Sequence, residues 1–326
     1  MTILVTGAAG FIGFHVSNAL LKRGERVIGA DDLNDYYDVS LKEARLNILQ
    51  EQQAFSFMRL DVAERGGVTD LVSAHKDIGR VIHLAAQAGV RHSLVDPYIY
   101  TRTNIDGHLV LLEACRRLEN LKHLVYASSS SVYGGNNVMP FSVADRTDSP
   151  LSIYGATKKS MEMISHAYTH LYGLPQTGLR FFTVYGPWGR PDMAAYIFVQ
   201  KIISGQPILV FNDGDMKRDF TYIDDIVNGV LRCLDNPPAA AGNETSNRIY
   251  NIGNNRSENL MDFIALIEKA LGKKAEIEFR PMQLGDVKET YADISETRRD
   301  FGYEPATTIE EGVPRFVAWY KKYHGL

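Results

Sequence analysis

The sequence is short of the features that mark many specialised proteins. It has two cysteines in 326 residues, Cys115 and Cys233, each inside an apolar stretch that reads as helix. That argues against a disulfide framework and fits two buried, reduced thiols in a reducing cytosol. No apolar run approaches the roughly 20 residues of a bilayer-crossing helix. The chain enters a strand at Thr2, which leaves no room for the charged and apolar regions of a leader peptide, so a cytoplasmic location is expected. Positive charge is not in excess: 35 Lys and Arg stand against 39 Asp and Glu, a net charge of −4, and no nucleic-acid surface is expected. The nine histidines fall at no metal-ligand spacing, so no metal is expected; His83 and His92 read as packing or capping residues. Repeats, low-complexity tracts and long flexible linkers are absent. With 45% hydrophobic and 23% charged residues, the chain is long enough to bury a large core and to hold two domains, or one with an appendage.

What is present is concentrated at the start and the middle. Thr2–Thr6 is a short apolar strand, and Gly7-Ala-Ala-Gly10-Phe-Ile-Gly13 leads from it into a helix that Gly24 closes. Arg26–Asp31 follows as a second strand ending in an acid. Strand, glycine turn, helix, strand and acid together form the dinucleotide-binding unit. Gly7 permits the tight turn, Gly10 lets the backbone approach a pyrophosphate, and Gly13 allows close helix–strand packing. The helix N-terminus then faces the phosphate charge. A carboxylate at Asp31 accepts hydrogen bonds from ribose hydroxyls and repels a 2′-phosphate, which favours NAD over NADP.

Further strands are expected at 55–61, 79–86, 122–128, 178–182 and 248–253, alternating with helices. That pattern predicts an α/β fold, a Rossmann-type doubly wound parallel sheet, with ligands outside the carboxyl ends of its strands. Gly7, Asp31, Asp61, Ala85, Ser128 and Phe182 all fall at such ends. Asp61 and Val62 read as an adenine edge, or Asp61 as a helix cap. After Thr183, prolines at 187, 191, 207, 237 and 238 break the rhythm, and 184–192 reads as loop. The expected division is a cofactor domain over 1–183 with a returning segment at about 219–256, and a smaller C-terminal α/β substrate lobe from 184–218 and 257–326. Asp224 and Asp225 read as caps of a helix over 226–234.

The reactive pattern is Tyr154-Gly-Ala-Thr-Lys158, preceded by the serine run 128–131. Tyr and Lys four apart share one side of a helix. An ammonium near a phenol favours the phenolate, so the tyrosine can exchange a proton near neutral pH. Four serines at a strand end read as turn residues satisfying backbone groups, or as hydroxyls facing the Tyr/Lys helix.

These motifs, with His83-Leu-Ala-Ala86, Ser128-Ser-Ser-Ser-Val-Tyr-Gly134 and Arg218-Asp-Phe-Thr-Tyr-Ile-Asp-Asp225, resemble the extended short-chain dehydrogenase/reductase family over essentially the whole chain. Phe182-Thr-Val-Tyr-Gly-Pro-Trp-Gly-Arg-Pro-Asp-Met193 narrows the likeness to its UDP-glucuronate 4-epimerases. The resemblance implies an NAD-dependent isomerase acting on a UDP-hexuronic acid through a 4-keto intermediate, and a homodimer paired through two helices per subunit, one of them the Tyr/Lys helix. It implies Tyr154, Lys158 and Ser129 as catalytic residues. It implies cofactor contacts at Gly7, Gly10, Phe11, Ile12, Gly13, Asp31, Asp61, Val62, Leu84, Ala85, Ala86, Tyr154, Lys158 and Phe182. Substrate contacts follow at Arg91, Ser129, Ser130, Ser131, Thr183, Arg190, Arg218 and Asp286. Arg190 matches a position that meets the uronate carboxylate, which a guanidinium fork suits; the alternative is an exposed loop arginine. Thr183 stands where galactose-type epimerases commonly have Asn. Gln283 departs from the pattern, since some epimerases have Arg there. Related dehydratases and UDP-glucuronate decarboxylases carry acids in the serine segment, and this chain has none. The neighbouring alternatives are a UDP-glucose/galactose 4-epimerase, a UDP-glucuronate decarboxylase, or a non-catalytic NAD-binding sensor.

Overall fold

The structure is a computed structural model that describes residues 1–238 and 247–326. Residues 239–246, part of the expected returning segment, lie outside the described residues. The first half alternates β1 (Thr2–Thr6), α1 (Phe11–Lys22), β2 (Arg26–Asp31), α2 (Val39–Gln50), β3 (Phe55–Arg59), α3 (Arg65–Ala74) and β4 (Ile78–His83). It continues through α4 (Pro97–Tyr100), a wide π-helical turn at Thr101–Asp106, α5 (Gly107–Cys115), β5 (His123–Ser129), α6 (Ile153–Tyr172) and β6 (Gln176–Phe181). Then come β7 (Thr183–Tyr185), α7 (Ala194–Ile203), β8 (Ile208–Phe211), β9 (Lys217–Arg218), β10 (Phe220–Tyr222) and α8 (Ile223–Asp235). The chain ends with β11 (Arg248–Ile252), β12 (Glu258–Asn259), α9 (Leu260–Leu271), β13 (Ile277–Arg280), α10 (Ser295–Phe301) and α11 (Ile309–Tyr323).

Seven strands form one parallel sheet in the order β11-β6-β5-β4-β1-β2-β3. Successive side chains of a strand point to opposite faces, and β1 feeds two cores. Ile3 and Val5 pack with α1 and α8, while Leu4 packs with α3 and α5. Both faces are thus covered by helices, as a parallel sheet requires. β11 adds to the free edge of β6, as expected for 248–253.

Three two-stranded ladders lie beyond the sheet, joining β7 to β10, β8 to β13 and β9 to β12. The expected loop over 184–192 therefore begins as strand: Thr183–Tyr185 pairs in parallel with Phe220–Tyr222, and irregular backbone starts at Gly186. β3 ends at Arg59 and β4 at His83, earlier than expected, because the chain turns there toward the next helix. Asp61 accepts from the Ala63 N–H at 2.9 Å in that turn. α8 starts three residues early, and Asp225 does not cap it. Its carboxylate accepts from the N–H groups of Ala306 and Thr307, at 3.1 and 3.0 Å, and anchors the C-terminal segment.

Asp219 performs a similar junction deeper in. It is fully buried and accepts from the N–H of Asn254 at 2.6 Å, the N–H of Ala292 at 3.1 Å and the Thr221 hydroxyl at 2.9 Å. Burial pushes its carboxyl up to about 6, against the pull of those donors. Three chain segments meet there beside Arg218. Among the described residues no helix is long and apolar enough to cross a membrane.

Candidate active site

One cavity of about 1020 Å³ runs along the carboxyl ends of the strands, and every site residue singled out in the sequence lines it. At one end is the glycine turn. Gly7 has φ +72°, and a Cβ there would lie 2.7 Å from the Ala85 nitrogen; one on Gly13 would lie 1.9 Å from the Gly7 oxygen. No side chain caps α1 and no acid stands in its first turn, so its N-terminal donors serve the cavity. This cradle suits a pyrophosphate.

The Ala9 peptide beside it is gripped from both sides. Its N–H donates to Asp31 Oδ2 at 3.0 Å, and its oxygen accepts from Arg45 at 2.9 Å. Asp31, 7% exposed, also accepts from Leu33 N–H at 2.9 Å. Burial raises its pKa, opposed by these donors and by Lys42. Asp61 is held by Arg102 at 2.6 Å. Val62, Leu84, Ala85, Ala86 and Phe182 complete this wall. The donors and the carboxylate at Asp31 fit a dinucleotide.

The reactive corner forms where α6 meets the end of β5. Ser152 caps α6, accepting from Gly155 N–H at 3.0 Å. A Cβ on Gly155 would sit 2.6 Å from the Ser131 oxygen, so only glycine lets the helix start against the serine turn. Tyr154 thereby lines the cavity with Ser129, whose hydroxyl accepts from Ser131 N–H at 3.1 Å and donates to Ser131 Oγ at 3.2 Å. Burial raises the Tyr154 phenol above its ordinary pKa, while the Ser129 hydroxyl and the Arg190 charge pull it down and Asp192 pushes it up. The sequence reading had Lys158 doing that lowering. In the structure its Nζ lies 6.0 Å from the Tyr154 ring centre and donates to the Ala127 oxygen at 2.9 Å. The ammonium is spent on a carbonyl, and burial drops its own pKa to about 7.

Arg190 is not the exposed loop arginine of the alternative reading; its side chain is 20% exposed. Its fork is already engaged. Nε donates to Asp192 Oδ1 at 3.0 Å, and the second bond runs from Nη2 to Oδ2. Tyr36 donates to the same carboxylate at 3.1 Å. Thr183 and the serine turn, with Ser130 and Ser131, line the cavity nearby. At the outer end Arg91 and Arg218 flank Asp286, at 3.5 and 3.6 Å. Gln283 lines the same end, and its side-chain oxygen is buried without a partner among the described residues. His83 packs against His108, ring centres 5.3 Å apart, and His92 packs between Tyr36 and Tyr100.

Several site residues were not read from the sequence. Asn104, on the π-helical turn, donates to the Gln87 oxygen and the Thr157 hydroxyl, both at 3.0 Å, and so ties the strand-end loop to α6. Asp192 and Tyr36 were missed, as was Glu162, which accepts from Ser128 at 2.6 Å. The spacing Tyr154, Lys158, Glu162 was the available signal for the last, an acid on the same helix face.

A glycine cradle and a Ser/Tyr/Lys corner in one cleft above a parallel sheet define an enzyme that binds a dinucleotide and moves protons at an alcohol. The chain belongs to the NAD dependent epimerase/dehydratase family, whose model matches residues 3–253. It is 47% identical to UDP-glucuronate 4-epimerase 1 of Arabidopsis thaliana, over 100% of this chain and 78% of that one. It is similar to the crystal structure of UDP-glucuronic acid 4-epimerase from Bacillus cereus in complex with UDP-glucuronic acid and NAD, with TM-score 0.88, 37% identity, and 99% and 100% of the two chains covered. It is also similar to the UDP-glucose 4-epimerase of Thermotoga maritima with UDP-glucose, with TM-score 0.86, 32% identity, and 99% and 100% covered.

Lys158 should make the stability of the cofactor-free protein pH-dependent. Its folded pKa, about 7, lies below the ordinary 10.5. Between those values the unfolded chain holds a proton that the folded chain does not, so the lysine's burden on stability is full below about pH 7 and fades as pH rises. Relative to wild type, Lys158→Met is expected to be most stabilised near neutrality, with the difference narrowing toward about pH 10. Urea unfolding across that range measures it, and a difference constant with pH would contradict it.

Proposed function

We propose that this protein is a UDP-glucuronate 4-epimerase, interconverting UDP-glucuronate and UDP-galacturonate through a 4-keto sugar. The observation that carries this reading is the shared cavity, in which the cofactor cradle, the Ser129–Tyr154–Lys158 corner and Arg190 open on one space. NAD, when bound, supplies reversible hydride exchange at C4 and is regenerated in each cycle. Gly7, Gly10, Phe11, Ile12 and Gly13 would hold its pyrophosphate, Asp31 its adenosine ribose, Asp61 and Val62 its adenine, Lys158 its nicotinamide ribose. Leu84, Ala85, Ala86 and Phe182 would wall it.

In this reading the Tyr154 phenol takes the proton of the 4-hydroxyl and returns it to the other epimer. Ser129 shares the hydrogen bond and steadies the oxygen as its charge changes. Arg91, Arg218 and Asp286 serve the nucleotide diphosphate and ribose, while Thr183, Ser130, Ser131 and Arg190 serve the sugar. The division of the chain into a cofactor domain (1–183, with 219–256) and a substrate lobe (184–218, 257–326) belongs to the same proposal. So does a cytoplasmic location, which detection in the soluble cell fraction tests.

Tyr154→Phe is expected to keep NAD and UDP-sugar binding while lowering turnover at least ~10²-fold, the scale of losing a positioned proton-transfer group. Near-normal turnover would remove Tyr154 from the chemistry.

Arg190 selects the uronate and restrains it. The 4-keto intermediate is a β-keto acid, which loses carbon dioxide when the carboxylate bond aligns with the carbonyl π system. Arg190→Ala should weaken UDP-glucuronate by roughly 2–5 kcal/mol, the scale for truncating one partner of a buried charge pair, with the unpaired Asp192 adding repulsion. UDP-glucose should lose far less, and residual turnover should leak toward the decarboxylated pentose. Binding titrations of both nucleotides and chromatography of the products test this; equal losses would reassign Arg190 to loop support.

A homodimer paired through α6 completes the proposal. Met163 and Leu171 are each 64% exposed on that helix, which leaves apolar area for a partner. Light scattering should give twice the 36.5 kDa chain mass, and a monomer at micromolar concentration would refute it.

A further inference from the structure

The face of α6 that carries Tyr154 does not stop at Lys158. One turn further on, Glu162 is buried, 4% exposed, against the 3%-exposed Arg180 of β6. Arg180 donates to both carboxylate oxygens, Nε to Oε1 at 2.8 Å and Nη2 to Oε2 at 2.9 Å. Ser128 Oγ donates to Oε1 at 2.6 Å, and Lys159 Nζ to Oε2 at 3.3 Å. Four donors thus hold this carboxylate from two strands and its own helix. The guanidinium in turn lies 4.8 Å over the Tyr133 ring, directly after the serine turn.

The contacts form a ladder between one helix face and one strand end. Glu162 takes Ser128 and Lys158 takes the oxygen of Ala127 at 2.9 Å, while Ser129 lines the cavity with Tyr154 and draws the phenol's pKa down. Two adjacent residues of β5 are gripped by two successive turns of α6, and the next residue is the one left to face the phenol. An ion pair present only for stability has no need of the serine, and buried pairs often add little net stability over apolar packing. Here the serine directly precedes Ser129 in β5.

We propose that Glu162 is a positioning residue: clamped by Arg180, its carboxylate fixes Ser128 and so sets where Ser129 meets Tyr154. This rests on the assignment of Ser129 and Tyr154 to the chemistry. The groups around the Tyr154 side chain are Lys158 on its own helix, Ser129 from β5, Tyr100 from α4, and Arg190 and Asp192 from the loop after β7. Of these, Ser129 is the one the ladder controls.

The test is Ser128→Ala, which removes the rung and leaves the Arg180–Glu162 pair intact. The variant should fold with an unchanged cooperative transition and unchanged KM for UDP-glucuronate. Its kcat should fall roughly tenfold, the worth of one well-placed hydrogen bond. The Ser129 hydroxyl favours the ionised phenol, so the acid limb of the kcat–pH profile should move to higher pH as Ser129 loosens. Ser128→Thr, which restores a hydroxyl, should recover both kcat and the limb. A Ser128→Ala enzyme with wild-type kcat and an unmoved limb overturns the proposal, as does a kcat loss that only tracks loss of folded protein. Ser129→Ala measured alongside separates the two levels. If it too keeps wild-type turnover, the catalytic assignment has failed; if it alone falls, the assignment stands and the positioning role has failed.

Discussion

A guanidinium taken out of water must be met by acceptors, and Arg45, fully buried on α2, meets them on both sides of the cleft. It donates to the oxygen of Ala9 in the glycine turn at 2.9 Å and to the Tyr37 hydroxyl at 2.8 Å. Across the gap it donates to the oxygen of Trp188 at 2.6 Å, within the loop that carries Arg190. Trp188 sits at φ +63°, a left-handed conformation that a bulky residue adopts only when its surroundings impose it. Losing these bonds would leave carbonyls unpaired in the interior, at about 1–3 kcal/mol for each. His15 adds a second tie from α1 to the same loop, its Nε2 lying 2.9 Å from the Pro187 oxygen, and Phe14 packs against Trp188. The cofactor cradle and the sugar-facing loop are therefore held together by several side chains, with Arg45 at their centre.

The second organising feature is the matching of buried charges. Arg190 with Asp192 and Arg180 with Glu162 are both bidentate pairs at the reactive corner. Such pairs are more valuable for placing groups than for net stability. Lys158 contrasts with them: it has a carbonyl for a partner, and burial brings it down to about 7. A negative group entering the cavity beside it would favour its protonated form.

The parts of this site that were legible in the sequence are those built from short spacings. The glycine turn, the acid ending β2 and the Tyr154/Lys158 pair each depend on residues within a few positions, so periodicity and turn chemistry reveal them. The strands of the sheet were found for the same reason, and β11 because it repeats the apolar pattern of its neighbours. What escaped was pairing across the fold. Arg45 occupies the buried stripe of α2 among Leu41, Leu46 and Leu49, and nothing local says which carbonyls it meets. Asp192 stands two residues from Arg190, yet a sequence does not tell whether a fork is open or filled. Val184 and Tyr185 read as loop because the strand partner of Thr183–Tyr185 lies nearly forty residues away and the ladder is only three residues long.

The two carboxylates at the reactive corner also bear on which reaction the site can run. Burial pushes Glu162 up, but the hydrogen bonds and charge of Arg180 outweigh it and the group lies below the ordinary glutamate range. Asp192 is likewise lifted by burial and pulled lower still by Arg190 and Tyr36. A carboxyl held ionised in this way cannot deliver a proton to a leaving hydroxyl near neutral pH, because the protonated form is the one the surroundings disfavour. The proton carriers left at the corner are the Tyr154 phenol, the Ser129 hydroxyl and the Lys158 ammonium. The ion pairs therefore do more than order the site. By keeping both carboxylates charged, they make Asp192 and Glu162 acceptors and fixed charges near neutral pH, and leave proton exchange to the phenol, the hydroxyl and the ammonium.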